Sequence, residues 1–303
     1  MFRRTLLASA GALALTGAAL AADLPSRTPP PVYLPPPPVF TWTGLYIGLN
    51  AGYIWSNSNT VDTATTNLDP GNGLGGETAA NIASAALATA SVPLRNDGFI
   101  GGGQIGYNFQ FANNFVAGLE ADFQGVAANG STTRFSQAPI AGFPTNPIDQ
   151  ILSSSRRLDY LGTVRGRLGF TITPTLLVYG TGGLAYGQTR ASTSITQFIE
   201  NAAALPNAYS SFGSFSNARV GWTAGGGVEW LFLPNWSVKA EYLYYDLGSV
   251  TFGLSPLQNF NIAGVLFTNG APVSRTSFRG NIVRAGLNYH FNLWGPAPVV
   301  AKY

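Results

Sequence analysis

Apolar and polar residues alternate with a period of two along eight stretches of this 303-residue chain. Successive side chains of a β-strand point to opposite faces, so this period predicts strands. Between Trp236 and Tyr244, for example, every second residue is aromatic or apolar, whereas Lys239 and Glu241 fall on the other face. In residues 176–188 both faces are nearly uncharged, which leaves the inward face of that strand open. The predicted strands are residues 43–56, 99–111, 115–123, 158–170, 176–188, 220–232, 236–244 and 281–291.

The charged residues of these stretches lie opposite the apolar face. An Arg or Lys that faces lipid at the bilayer centre costs about 2 to 4 kcal/mol, so a membrane barrel must turn its charges inward. A soluble barrel would show the reverse, with an apolar lumen and a charged exterior. Because buried charges are tolerated when they are paired, we expect a structural network of ion pairs in the lumen. The predicted lumen residues are Glu120, Asp122, Asp159, Arg165, Arg167, Glu229, Lys239, Glu241 and Arg284.

Short and long connections alternate strictly between the predicted strands. In an up-and-down barrel this places every short turn at one end and every long loop at the other, as in outer-membrane barrels. The sequence therefore predicts an all-β fold, an eight-stranded antiparallel up-and-down transmembrane β-barrel with short periplasmic turns and four long external loops. We expect these loops to be structureless. The short connections are residues 112–114, 172–175 and 233–235, and the long ones are 57–97, 125–157, 189–218 and 249–277.

The start of the chain has the order of an export signal. Arg3 and Arg4 precede an apolar run, and Ala19-Leu20-Ala21 supplies the small residues of a cleavage site. Residues 1–21 are therefore predicted to be a cleaved signal peptide. The proline-rich residues that follow favour an extended spacer, so residues 22–41 are predicted to be a periplasmic linker. This division leaves residues 42–291 for the barrel and residues 292–303 for a periplasmic tail.

The composition excludes several classes of function. The chain has no cysteine, which removes disulfides, thiol catalysis and cysteine-ligated zinc. Without Arg3 and Arg4 the basic and acidic residues nearly balance, which argues against nucleic acid as a partner. His290 is the single histidine and lies near the end of the last strand, and the sequence identifies no Ser or Asp partner for it. We therefore expect no enzyme, no cofactor and no metal site.

Eight segments together resemble the small outer-membrane β-barrel ("porin family") proteins of alphaproteobacteria, a group that includes major surface proteins of rhizobia and brucellae. The resemblance implies an eight-stranded barrel that the outer-membrane insertion machinery assembles through its last strand. Tyr289 and Phe291 look like the aromatic insertion signal, although this chain continues beyond Phe291. No haem-ligating motif is found. The segments are WTGLYIGLNAGY (42–53), GFIGGGQIGYNFQF (98–111), FVAGLEADFQG (115–125), LDYLGTVRGRLGF (158–170), YGTGGLAYG (179–187), GWTAGGGVEWLF (221–232), WSVKAEYLYYDLG (236–248) and VRAGLNYHF (283–291).

These patterns favour one function and leave two alternatives. The principal hypothesis is an outer-membrane protein of a Gram-negative bacterium that contributes to envelope integrity and presents its loops to the outside, with a lumen filled by ion pairs. The first alternative is a narrow porin-like channel for small solutes. The second is a surface receptor or adhesin whose long loops bind haem or a host component. The expected partners are outer-membrane lipid, lipopolysaccharide and the insertion machinery, and the oligomeric state stays open.

Overall fold

The computed structural model describes residues 41–69, 75–199, 208–260 and 266–291. The predicted signal peptide, the tail of residues 292–303 and all of the predicted linker except Thr41 lie outside the described residues, so these boundaries stay predictions. Within the described residues, no helix is both long and apolar enough to cross a membrane. The elements are β1 (Gly44–Ser56), β2 (Thr60–Asn67), α1 (Gly75–Ala88), β3 (Ala90–Pro93), β4 (Gly98–Phe111), β5 (Phe115–Ile140), β6 (Phe143–Thr173), β7 (Leu176–Ile199), β8 (Ala208–Leu233), β9 (Trp236–Gly253), β10 (Leu257–Phe260) and β11 (Leu266–Phe291).

Eight of these strands form a closed antiparallel ring in the order β1, β4, β5, β6, β7, β8, β9, β11. The ring closes where β1 pairs with β11, from Leu45 opposite Phe291 to Ser56 opposite Gly280. A closed ring leaves no unpaired strand edge in the membrane, where an unpaired backbone group has no water to bind. The predicted fold class is therefore confirmed, and β4–β5, β6–β7 and β8–β9 are joined by short turns as predicted.

The apolar face of each membrane strand points outward. Leu49 is 71% exposed and Leu119 is 68% exposed, although both are apolar. Such exposure suits side chains that meet lipid rather than water. The strand whose inward face the sequence leaves open, β7, turns Leu177 and Tyr179 inward and Leu184 outward.

The prediction of four structureless loops is wrong, because regular structure fills much of these connections. Residues 125–157 continue β5 and β6 as one long hairpin that turns at Gly142 with a positive φ of 83°. Beyond the membrane the outward face meets water and can be polar, as at Ser131 and Thr133, whereas apolar residues such as Ile148 face inward. The sequence prediction requires an apolar outward face for a strand, so it does not find these strand extensions. In the first connection, β2, α1 and β3 also form, and β2 pairs with β11 and β3.

An apolar core fills the part of the barrel that these extensions add. Helix α1 contributes Ala80 and Ala88 to this core, and Leu152 and Ile195 from the ring strands are fully buried beside it. Burial of apolar area removes it from water and stabilises the extensions at about 25 cal/mol per Å². The outer segments are thus packed against their own core.

Candidate functional site

The structure places eight of the nine predicted charged side chains in the lumen, where each residue is at most 4% exposed. Four strands of two opposite walls supply most of them. Alternation brings these side chains inward because each lies between outward-facing apolar neighbours. We name these residues the charged layer: Glu120 and Asp122 on β5, Arg165 and Arg167 on β6, Glu229 on β8, Lys239 and Glu241 on β9, and Arg284 on β11.

Ion pairs of the charged layer join opposite walls of the barrel. Strands β5 and β6 are separated from β9 and β11 by two strands in either direction around the ring. A contact between these walls therefore crosses the lumen. The crossing pairs are Arg165 Nη1 to Glu241 Oε1 at 3.1 Å, Arg284 Nη2 to Asp122 Oδ2 at 2.8 Å, and Lys239 Nζ to the two Glu120 oxygens at 2.8 and 2.9 Å.

The same charged groups also form ion pairs with neighbours on their own wall of the barrel. Arg165 Nη2 also contacts Glu120 Oε1 and lies 3.0 Å from Asp122 Oδ2. Arg284 Nε donates to Glu241 Oε2 at 2.7 Å. Each guanidinium thus bridges two or more carboxylates, which is the planar geometry for which Arg is suited.

A second group of contacts lies on the short-turn side of the layer. Arg167 Nη2 is 2.8 Å from Glu229 Oε2, and its guanidinium lies 5.1 Å and 4.8 Å from the ring centroids of Tyr46 and Tyr179. The Tyr46 hydroxyl donates to Glu120 Oε2 at 2.6 Å and accepts from Arg167 Nη1 at 3.2 Å. Tyr46 therefore links the two groups into one network. Its ring lies over Gly106, where a Cβ would come within 2.3 Å of it.

The charged layer balances four carboxylates against four cations. Taking such groups out of water costs several kcal/mol per ion, which pairing must offset. Its arrangement explains how the lumen tolerates these charges: each of the four carboxylates of the charged layer has at least one cation within 3.0 Å. Chemically, such a layer can close the lumen and fix the relative positions of the strands.

Asp159 does not join this layer, so the prediction that it faces the lumen is wrong. A β-bulge interrupts the pairing of β6 with β7 between Leu158 and Leu161 and shifts the alternation by one residue. Leu158, which the pattern places outward, is consequently buried. Asp159 instead pairs with Arg157 and Arg190, at 2.6 and 2.7 Å, on the outer part of the barrel.

The single histidine has partners that the sequence analysis does not identify. His290 Nε2 is 2.8 Å from Ser237 Oγ and 3.3 Å from Glu229 Oε1. A serine–histidine–acid triad requires the acid on the other ring nitrogen, whereas here Ser237 and Glu229 both lie at Nε2. Ser237 is also completely buried, so a substrate has no access to its oxygen. Among the described residues, no cluster of three or more His, Cys, Asp or Glu could hold a metal ion.

Sequence reasoning misses the aromatic residues of the lumen. Tyr46 and Tyr179 lie at alternate positions that face the lumen. A search of the inward-facing positions for aromatic as well as charged residues could find them. Trp42 precedes β1, where no alternation exists, and is buried at the short-turn end with Nε1 donating to the Pro174 carbonyl at 3.1 Å. It packs in a small apolar cluster with Val116, Tyr179 and others.

A larger apolar cluster lies on the other side of the charged layer. Leu243 and Ile282, two residues beyond Glu241 and Arg284 toward the outside, belong to it. Arg156 lies in the extension above and donates to Ser56 Oγ at 2.8 Å and to the Ser277 carbonyl at 2.9 Å. Burial lowers the pKa of this guanidinium. The charged layer therefore has apolar packing on both sides.

Tyr289 and Phe291 lie at the end of β11, paired with Ile47 and Leu45 of β1. Their rings make an edge contact with centroids 5.0 Å apart. They thus close the ring at its short-turn end. Their role as an insertion signal stays a prediction.

Comparison with known proteins places this architecture in a family. Residues 8–291 match the family model described as outer membrane protein beta-barrel domain. The chain belongs to this family and is an outer-membrane β-barrel protein of a Gram-negative bacterium. The predicted localisation is therefore confirmed.

Two relatives from brucellae agree with this assignment. A 31 kDa outer-membrane immunogenic protein of Brucella melitensis is 34% identical over 289 residues, which cover 95% of this chain and 100% of the relative. A 25 kDa outer-membrane immunogenic protein of Brucella abortus is 23% identical over 286 residues, or 94% of this chain and 96% of the relative. The solved structure of outer membrane protein OprG from Pseudomonas aeruginosa covers 82% of this chain and 97% of its own, with 10% identity and a TM-score of 0.36. The predicted resemblance to surface proteins of brucellae is confirmed.

Proposed function

We propose that this chain is a closed, non-conducting barrel that strengthens the outer membrane and holds its packed outer segments at the cell surface. The observation that carries the proposal is the charged layer, whose ion pairs join opposite walls across the lumen. A conducting pore needs a continuous polar path that water can fill. Here the polar groups at this level bind one another instead.

Two further features support a closed lumen. Apolar clusters lie on both sides of the charged layer, with Trp42 on the short-turn side and Leu243 on the outer side. The outer core with α1 fills the barrel extension beyond them. An ion would have to displace apolar packing at each of these levels, as well as break the ion pairs.

Planar-bilayer recording with the purified, folded chain tests the proposal. We expect no stable conductance steps, because several layers of packed side chains separate the two ends of the lumen. A general porin added to the same bilayer serves as the positive control for insertion and detection. Folding of the chain is checked by the shift in gel mobility between unheated and heated samples. Reproducible single-channel steps from the folded chain would contradict the closed lumen and favour a narrow channel.

A further inference from the structure

Two arginines on the outer surface share a single carboxylate. Asp159 Oδ1 lies 2.6 Å from Arg157 Nε, and its Oδ2 lies 2.7 Å from Arg190 Nε. The carboxylate is 17% exposed, whereas the two arginine side chains are 56% and 57% exposed. Asp159 therefore holds the two guanidiniums side by side from beneath and leaves the group with one excess positive charge.

The terminal nitrogens of both guanidiniums remain available. Within the described part of the chain, Asp159 is the single ion-pair partner of Arg157 and Arg190, and neither guanidinium donates a hydrogen bond to another residue. The two residues lie directly opposite each other in the pairing of β6 with β7. Their other cross-strand neighbours, Asn129 and Ser216, are uncharged. The excess charge is thus not neutralised by the adjacent strands.

The pair lies at the level of the lipid headgroups. The outward apolar band of β7 runs from Val178 to Tyr186, and this length lies at the lower end of the roughly 9 to 11 residues that a strand needs to cross a bilayer. Arg190 lies four residues beyond Tyr186, toward the outer end of β7. On β6, the ring of Tyr160 contacts the ring of Phe123, with the two centroids 5.2 Å apart. Arg157 lies three residues from Tyr160, toward the outer end of the barrel. Aromatic side chains of this kind mark the membrane interface.

Hydroxyl groups cover the surface directly above the pair. Ser155 and Ser192 are hydrogen-bonded to each other at 2.7 Å, and Thr133 and Ser153 at 3.0 Å. These residues face outward on adjacent strands, beyond Arg157 and Arg190. A sugar headgroup that extends away from the membrane would meet hydroxyl groups here rather than charges.

We propose that Arg157 and Arg190 form a binding site for a phosphate group of a phosphorylated glycolipid in the outer leaflet. Guanidinium groups bind phosphate through paired, charge-assisted hydrogen bonds, and anionic headgroups attract basic residues at the membrane surface. The lipid phosphate lies on the free nitrogens, its sugars extend along the Ser and Thr surface, and its acyl chains cover the outward apolar residues of β6 and β7. This inference rests on the outer-membrane location and not on a closed lumen, so the two proposals can fail independently.

Native mass spectrometry of the detergent-solubilised barrel, titrated with diphosphoryl lipid A, tests the site. We expect the double variant Arg157→Gln/Arg190→Gln to bind this lipid at least about tenfold more weakly than the parent, because two charge-assisted donors are lost. The control is Arg275→Gln/Arg279→Gln on β11, since each of these exposed arginines has an aspartate directly across in the register, Asp62 and Asp246. That variant should bind like the parent.

Three results would overturn the proposal. The first is equal binding of lipid A by the parent and by Arg157→Gln/Arg190→Gln, with both folded by gel mobility. The second is an equal loss of lipid A binding in Arg275→Gln/Arg279→Gln, which would mean that positive charge anywhere on the outer rim of the barrel is enough to bind the lipid. The third is displacement of lipid A from the parent by excess inorganic phosphate, which would indicate a site for free anions. Fully dephosphorylated lipid A should bind the parent no more tightly than diphosphoryl lipid A binds the double variant.

Discussion

Replacement of Glu120 by Gln should destabilise the barrel by about 3 to 5 kcal/mol, the range for breaking a buried ion pair. The change removes the negative charge that faces Lys239 Nζ at 2.8 and 2.9 Å and that Arg165 also contacts. Glutamine keeps the shape of the side chain, so the main consequence is one uncompensated positive charge in the lumen. Urea unfolding of the chain in phospholipid vesicles measures the loss.

The matched control is Asp159→Asn, the same acid-to-amide change in a carboxylate whose two arginine partners are more than half exposed. Its pairs with Arg157 and Arg190 lie at the surface, where such interactions contribute about 0 to 1 kcal/mol. The double variant Glu120→Gln/Lys239→Gln restores the balance of charge and should recover part of the stability. If Glu120→Gln and Asp159→Asn unfold at the same urea concentration as the parent, the charged layer does not stabilise the barrel.

Replacement of Ala240 by Arg should reduce insertion strongly, because this side chain faces lipid. Ala240 is exposed on β9, midway between Trp236 and Tyr244, and is paired with Val228 and Ala285. An arginine near the bilayer midplane of a barrel costs about 2 to 4 kcal/mol. The measurement is the yield of folded, heat-modifiable chain in the outer-membrane fraction, together with urea unfolding in vesicles.

Two controls separate charge in lipid from other effects of the substitution. Ala240→Leu adds bulk without charge and should keep the parental yield. Ser214→Arg adds the same charge to an exposed position of β8 in the outer extension and should be tolerated. An equal yield for Ala240→Arg and Ser214→Arg would show that Ala240 does not face the hydrocarbon.

The sequence alone predicts the membrane part of this fold because the bilayer imposes one rule on every strand there. Lipid requires an apolar outward face, so alternation and charge together determine the number of strands and which face of each strand points outward. The same rule identifies eight residues of the charged layer. Which partners these residues choose across the lumen depends on barrel closure, which no local pattern encodes.

Predictions from the sequence fail where that rule no longer applies. At Leu158 a single extra residue reverses the alternation, and neither Asp159 nor its neighbours indicate a bulge in advance. Above the membrane the polar outward face of β5 and β6 looks like a loop, because water accepts polar residues in either structure. The position of Trp42 depends on contacts far along the chain, such as Pro174.

Spin labelling along β9 tests most directly whether lipid meets the apolar face and the charged groups face the lumen. The chain has no cysteine, so a nitroxide on Ala240→Cys, Tyr242→Cys or Leu243→Cys has no background. In vesicles, labels at Ala240 and Tyr242 should collide freely with oxygen and rarely with a water-soluble nickel chelate, whereas the label at buried Leu243 should collide little with either. Nickel collisions at Ala240, or oxygen collisions highest at Leu243, would contradict this orientation.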